Sequence, residues 1–92
     1  MSLLSDEELS AALAGSPWER DGDAIVRDLQ LDDFAAAIAL VNRVAEAAEA
    51  ANHHPDILVH GWNKVRLELS THSQGGITQA DVEMARALDG VV

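Results

Sequence analysis

Polar and apolar residues alternate from Trp62 onward. Val65, Leu67, Leu69 and Thr71 share one parity, and Lys64, Arg66, Glu68, Ser70 and His72 the other. A period of two marks a β-strand with one face buried and one face wet. Between Phe34 and Ala51 the period changes. Phe34, Ile38, Val41, Ala45 and Ala48 recur at spacings of three or four, which places them on one side of an α-helix. Leu40, Val44, Ala47 and Ala51 form a second apolar stripe beside the first. One stripe suffices to seat a helix on a core. Two predict burial on two sides, by the rest of the chain and by another subunit.

Local signals set the other boundaries. Ser5 followed by Glu8 is a capping-box pattern; it opens a short helix with Leu9, Ala12 and Leu13 on one side, ended by Gly15-Ser16-Pro17. Trp18-Glu19-Arg20 predicts a short strand and Asp21-Gly22 a hairpin turn. Residues 24–31 predict a second strand, with Ile25, Leu29 and Leu31 on one parity and Arg27 interrupting it. Asp32 or Asp33 caps the long helix, which stops at Asn52 because Pro55 bars its continuation. Ile57-Leu58-Val59 is a strand, His60-Gly61 a turn and Gly75-Gly76 a loop. Thr78, with Asp81 three residues on, caps a last helix whose apolar residues are Val82, Ala85, Ala87 and Leu88. Trp18 and Trp62 are expected in the core. The order is α-β-β-α-β-β-α in a single domain, 1–92. Two hairpins, each followed by a helix, predict an α+β fold: two layers, with a four-stranded antiparallel sheet covered on one face by helices.

Composition narrows the function. Six basic and sixteen acidic residues give a formal charge of -10. Such a surface repels phosphate backbones, so no direct nucleic-acid partner is expected. No apolar run reaches the ~18 residues of a membrane span. The start of the chain lacks the basic and apolar regions of a signal peptide, and a cytoplasmic location is expected. There is no cysteine, which removes disulfides and thiol catalysis. A domain this small often gains stability by assembling, so a homodimer or homotetramer is expected.

Candidate chemistry rests on histidine. His53, His54 and His72 fall within one 20-residue window, and imidazole exchanges protons near neutral pH. The doublet lies on the connection after the long helix, where Pro55 restricts the backbone of His54. His72 ends the best strand. Pairing of that strand with 57–59 would bring it beside the doublet. Acid–base catalysis and a metal site both draw on such a cluster. Adjacent histidines in extended backbone point in opposite directions, and structural zinc sites usually use cysteine clusters. Only one of the pair would share a metal with His72, with Glu49 or Asp56 as a further ligand. Acid–base chemistry without a metal is the preferred reading.

The spacing is also that of a known family. Glu49, three residues, His53-His54-Pro55, six residues, Trp62, nine residues, His72, eight residues, Asp81: this resembles the signature of the pterin-4a-carbinolamine dehydratases. Trp62-Asn63-Lys64-Val65, Leu69-Ser70-Thr71-His72 and Gly76-Ile77-Thr78 agree with it, as do Trp18 before a hairpin and Asp32-Asp33-Phe34 at the helix start. The resemblance implies elimination of water from a 4a-hydroxytetrahydropterin to quinonoid dihydropterin, in tetrahydropterin recycling, with no cofactor. By position it implies His53 and His72 as the acid–base pair and His54 as a positioning or auxiliary group. Asn52, Pro55, Ser70, Thr71 and Ser73 would lie against the pterin together with the histidines. Glu49, Asp81 and Trp18 would support the site. It also implies a dimer of dimers, with sheets joined edge to edge and long helices bundled. Ala50, Asn52, Trp62 and Ala80 depart from residues frequent in the family and leave the three imidazoles intact. The competing reading is a non-catalytic pterin-binding or interaction module on the same fold, for instance one holding a molybdopterin precursor or acting as an assembly partner.

Overall fold

Capping chemistry decides where each helix begins in the computed structural model, which describes residues 2–92. Helix α1 (Asp6–Leu13) starts at Ser5, whose Oγ accepts the Glu8 amide at 3.1 Å while Glu8 Oε1 accepts the Ser5 amide at 2.9 Å. The Ser5 amide, and then its hydroxyl, hold the Glu8 carboxyl below its ordinary range. Helix α2 (Phe34–Ala51) takes Asp33 as its cap, Oδ1 accepting the Ala36 amide at 2.7 Å. Helix α3 (Gln79–Asp89) begins at Thr78, and Asp81 Oδ2 accepts the Thr78 amide at 2.9 Å. All three caps fall where the sequence placed them, with Asp33 chosen over Asp32.

Four antiparallel strands form one sheet in the order β1-β2-β4-β3: β1 (Glu19–Asp21), β2 (Ala24–Gln30), β3 (Asp56–His60) and β4 (Lys64–Leu69). With three helices this is the expected α+β architecture in the expected element order. The central pair sets Ile25 opposite Leu69, Arg27 opposite Leu67 and Leu29 opposite Val65. On the far side of β4, Ile57 faces Leu67 and Val59 faces Val65. The apolar residues among them share one sheet face and meet Leu9, Leu40, Val44, Val82 and Leu88 of the helices in a single core. Each fully buried aliphatic of this kind stabilises the fold by about 1.5–3 kcal/mol.

Arg27, which breaks the apolar parity of β2, does point to the helix side. Its guanidinium donates to Asp89 Oδ1 at 2.6 Å, and Trp18 Nε1 donates to the same oxygen at 2.8 Å. The carboxylate at the end of α3 thus satisfies both donors at the edge of the core.

Several expectations are corrected. Trp62 is not a core residue and does not begin β4. It sits in the β3–β4 turn with φ 59°, 62% exposed, because Asn63 takes the inward place and bonds Leu31 instead. The α2 stripes divide differently: Ala37, Leu40, Val44 and Ala48 are buried, whereas Phe34, Ile38, Ala45 and Ala51 are exposed. In α3, Met84 is buried and Ala87 exposed. The alternation of β4 ends at Leu69, and His72 opens a single 3-10 turn (His72–Gln74) rather than ending the strand. Gly75 closes that turn at φ 72°, in the left-handed region glycine adopts most readily.

Candidate active site

Two chain reversals bring the imidazoles together. The first ends α2. Asn52 adopts left-handed angles (φ 51°), its amide returns to Ala48 and Glu49, and the His53 amide bonds the Ala48 carbonyl at 3.2 Å. Asparagine tolerates this conformation better than most residues. The chain is thereby turned sharply, and His53 and His54 leave the helix end on the way into β3. The second reversal follows β4. The Thr71 amide bonds the Gly76 carbonyl at 2.8 Å, and the Gln74 and Gly75 amides fold back onto the Thr71 carbonyl. Gly76 is closely covered: a Cβ there would lie 3.1 Å from Leu3. This small loop holds Ser70 to Ser73 beside the helix end, because β3 and β4 are paired.

Between the two reversals lies a cleft of about 260 Å³ lined by Asn52, His53, His54, Ser70, Thr71, His72 and Ser73. All three histidines of the sequence cluster border it. Pro55, between His54 and β3, is not part of the lining. Trp18 is remote from it, 2% exposed in the core, with its indole bonded to Asp89.

The two carboxylates named from the sequence each hold one imidazole. His53 Nε2 lies 2.6 Å from Asp81 Oδ1, and His54 Nε2 lies 2.7 Å from Glu49 Oε1. The environments differ sharply. The Asp81 side chain is fully buried, whereas that of Glu49 is 78% exposed. Asp81 also accepts from Thr71 Oγ1 at 2.9 Å through its second oxygen. His72 is exposed and, among the described residues, its side chain forms no hydrogen bond. Among those residues, too, no group of three or more His, Cys, Asp or Glu side chains has a geometry that could hold a metal ion. No helix is long and apolar enough to cross a membrane.

The arrangement can move protons. One imidazole is backed by a buried carboxylate, as in a catalytic triad. A second is backed by an exposed carboxylate, and a third is open to the cleft. The sequence presents Thr78 only as a helix cap. Its hydroxyl lies 2.8 Å from Thr71 Oγ1, so it belongs to the same polar network. The cap signal concealed this, since a cap explains the residue completely on local grounds.

Comparison with known proteins gives a consistent result. A family model described as Pterin 4 alpha carbinolamine dehydratase matches residues 2–91. A provisionally named pterin-4-alpha-carbinolamine dehydratase of Nocardia farcinica is 56% identical over 88 residues, covering 95% of this chain and 92% of its own. A provisionally named pterin-4-alpha-carbinolamine dehydratase 2 of Gloeobacter violaceus is 53% identical over 93 residues, covering 96% of this chain and 100% of its own. Among solved structures, a transcriptional coactivator/pterin dehydratase from Brucella melitensis superposes with a TM-score of 0.89 at 31% identity, over 98% of both chains.

Proposed function

The chain belongs to the pterin-4a-carbinolamine dehydratase family, and from that premise we propose that it is a hydro-lyase that dehydrates a 4a-hydroxytetrahydropterin by histidine acid–base catalysis. The observation that carries this reading is the convergence of His53, His54 and His72 on one cleft, two of them bonded to carboxylates. The reaction balances without a redox partner. The bond between carbon 4a and its hydroxyl breaks, the oxygen leaves as water after gaining a proton, and N5 loses its proton as the new carbon–nitrogen double bond forms. An acid and a base on the same cleft are what this demands.

His53 suits the base. Asp81 Oδ1 faces its Nε2 and stabilises the imidazolium that forms when Nδ1 takes the proton, as the buried aspartate does in a triad. His72, with no competing side-chain bond among the described residues, supplies the proton to the departing hydroxyl. His54, steadied by Glu49, flanks the bound ring, and Asn52, Ser70 and Ser73 offer polar contacts to a flat heterocycle rich in donors and acceptors. The product is a quinonoid dihydropterin, which places the enzyme in tetrahydropterin recycling. We further propose that the subunits assemble, since α2 leaves Phe34 and Ile38 exposed on the side away from the core.

A stopped-flow assay of 4a-hydroxytetrahydropterin decay tests the reading. The wild-type protein is expected to accelerate dehydration over buffer, and His53→Ala or His72→Ala to lose about 100-fold or more of that acceleration. Wild-type decay no faster than buffer defeats it. Tight pterin binding without turnover would instead identify a pterin-binding module.

A further inference from the structure

The Asp81 carboxylate is held from behind as well as from the cleft. It is 0% exposed. Oδ1 faces His53 Nε2 at 2.6 Å, and Oδ2 accepts from Thr71 Oγ1 at 2.9 Å and from the Thr78 amide at 2.9 Å. Thr78 Oγ1 lies 2.8 Å from Thr71 Oγ1 and is itself fully buried. A hydroxyl has one proton to give. Thr71 spends its proton on the carboxylate, which has none to return. Thr78 must therefore donate to Thr71, and the bonds run one way: Thr78 to Thr71 to Asp81. An ionised Asp81 can only accept, so His53 then donates from Nε2, and the neutral ring keeps its lone pair on Nδ1.

Thr71 lines the cleft between Ser70 and His72, yet its hydroxyl is engaged with Asp81 and Thr78 rather than free for a ligand. We infer that Thr71 is a positioning residue rather than a substrate contact: with Thr78 it pins the Asp81 carboxylate so that His53 is fixed in one ring orientation and one tautomer, with Nδ1 as the proton acceptor. The inference rests on the reading of His53 as the base. Without the Thr71 hydroxyl, Oδ2 would keep only the Thr78 amide, and the buried Thr78 hydroxyl would lose its acceptor. The carboxylate would then be free to turn, and the imidazole with it.

Thr71→Val removes the hydroxyl at nearly constant shape, and Thr71→Ser keeps it. Removal of groups that orient metal-bound imidazoles typically costs about tenfold to a hundredfold, and by analogy a loss of that order is expected in kcat for Thr71→Val, with KM held within about threefold. Thr71→Ser is expected to restore kcat. Nitrogen-15 NMR supplies a readout that a merely structural role would not move. The wild-type His53 signal is expected to report the neutral ring protonated on Nε2, and Thr71→Val to report a mixture of tautomers. A rise in KM at unchanged kcat would make Thr71 a substrate contact and overturn the inference. So would a wild-type His53 protonated on Nδ1, or a Thr71→Ser variant as slow as Thr71→Val. Should Thr71→Val fail to fold, the wild-type spectrum and the Thr71→Ser rate decide. Should the wild-type protein show no turnover, the dehydratase reading fails, while the tautomer shift between wild type and Thr71→Val still settles the role of Thr71.

Discussion

Two histidine–carboxylate pairs of nearly equal length, 2.6 and 2.7 Å, show how little a distance says without its surroundings. Around Glu49, with most of its side chain in water, solvent replaces whatever the pair provides, and exposed ion pairs are worth about 0–1 kcal/mol. Asp81 sits in the opposite situation. Its removal leaves the Thr71 hydroxyl and the buried Thr78 amide without their acceptor, while His53, 21% exposed, keeps access to water. Each such orphan costs about 1–3 kcal/mol. Asp81→Ala is therefore expected to lower the unfolding free energy by about 2–4 kcal/mol, and Glu49→Ala by no more than about 0.5 kcal/mol. Urea denaturation of both variants against wild type measures the contrast, and equal losses would refute the argument. Much of this site is legible in the sequence, because His53, His54 and His72 stand out by type and spacing alone. The inward side of Thr71 is legible from its parity with Val65, Leu67 and Leu69, but the burial of Asp81 and its bond to Thr71 are not, since they depend on what the 71–76 loop packs against.

At the scale of elements, local chemistry reads well and its limits are informative. The Ser5–Glu8, Asp33 and Thr78 caps announce the three helices because each cap is a short-range hydrogen bond written in adjacent residues. Strand ends are harder. The period-two pattern runs on through Thr71 and His72, but backbone pairing of β4 with its neighbours ends at Leu69 and the chain turns. Trp62 departs from the pattern for a similar reason: alternation cannot reveal a positive φ, and the buried Asn63 takes the inward place. Arg27 in β2 is the useful exception. A charge on the core side of a strand demands a partner, and Asp89 supplies it while also receiving the Trp18 indole. Asp89→Ala strips two donors of one acceptor, whereas Arg27→Met leaves Asp89, already 32% exposed, still bonded to Trp18. The first is expected to cost about 1–3 kcal/mol and the second less. Thermal unfolding of the two variants checks the order, and a larger loss for Arg27→Met would reverse the reading of which group depends on which.

The whole molecule is organised around surfaces with different fates. One sheet face is sealed by the helices, and the seven residues that line the cleft come from the two reversals of this chain. The outer face of α2 is left open, with Phe34 54% and Ile38 38% exposed. Of the two sheet edges, β1 is three residues long, exposed throughout and formed by Glu19, Arg20 and Asp21. Short, charged edges resist pairing with another strand. β3 is longer, its outward-facing Leu58 is 54% exposed, and its free backbone edge is the better place for two sheets to join. A charge of -10 opposes association at low ionic strength, and salt shortens that repulsion to about 8 Å near physiological strength. Sedimentation is therefore expected to show assembly that strengthens with added salt. Ile38→Glu, which places a charge in the apolar α2 face without touching the core, is expected to reduce the assembled state. Because the three histidines and the other four lining residues belong to one chain, the smaller species is expected to keep this cleft and dehydrate the pterin with KM close to that of wild type. Loss of turnover together with assembly, in a variant that still folds, would show instead that a neighbouring subunit completes the site.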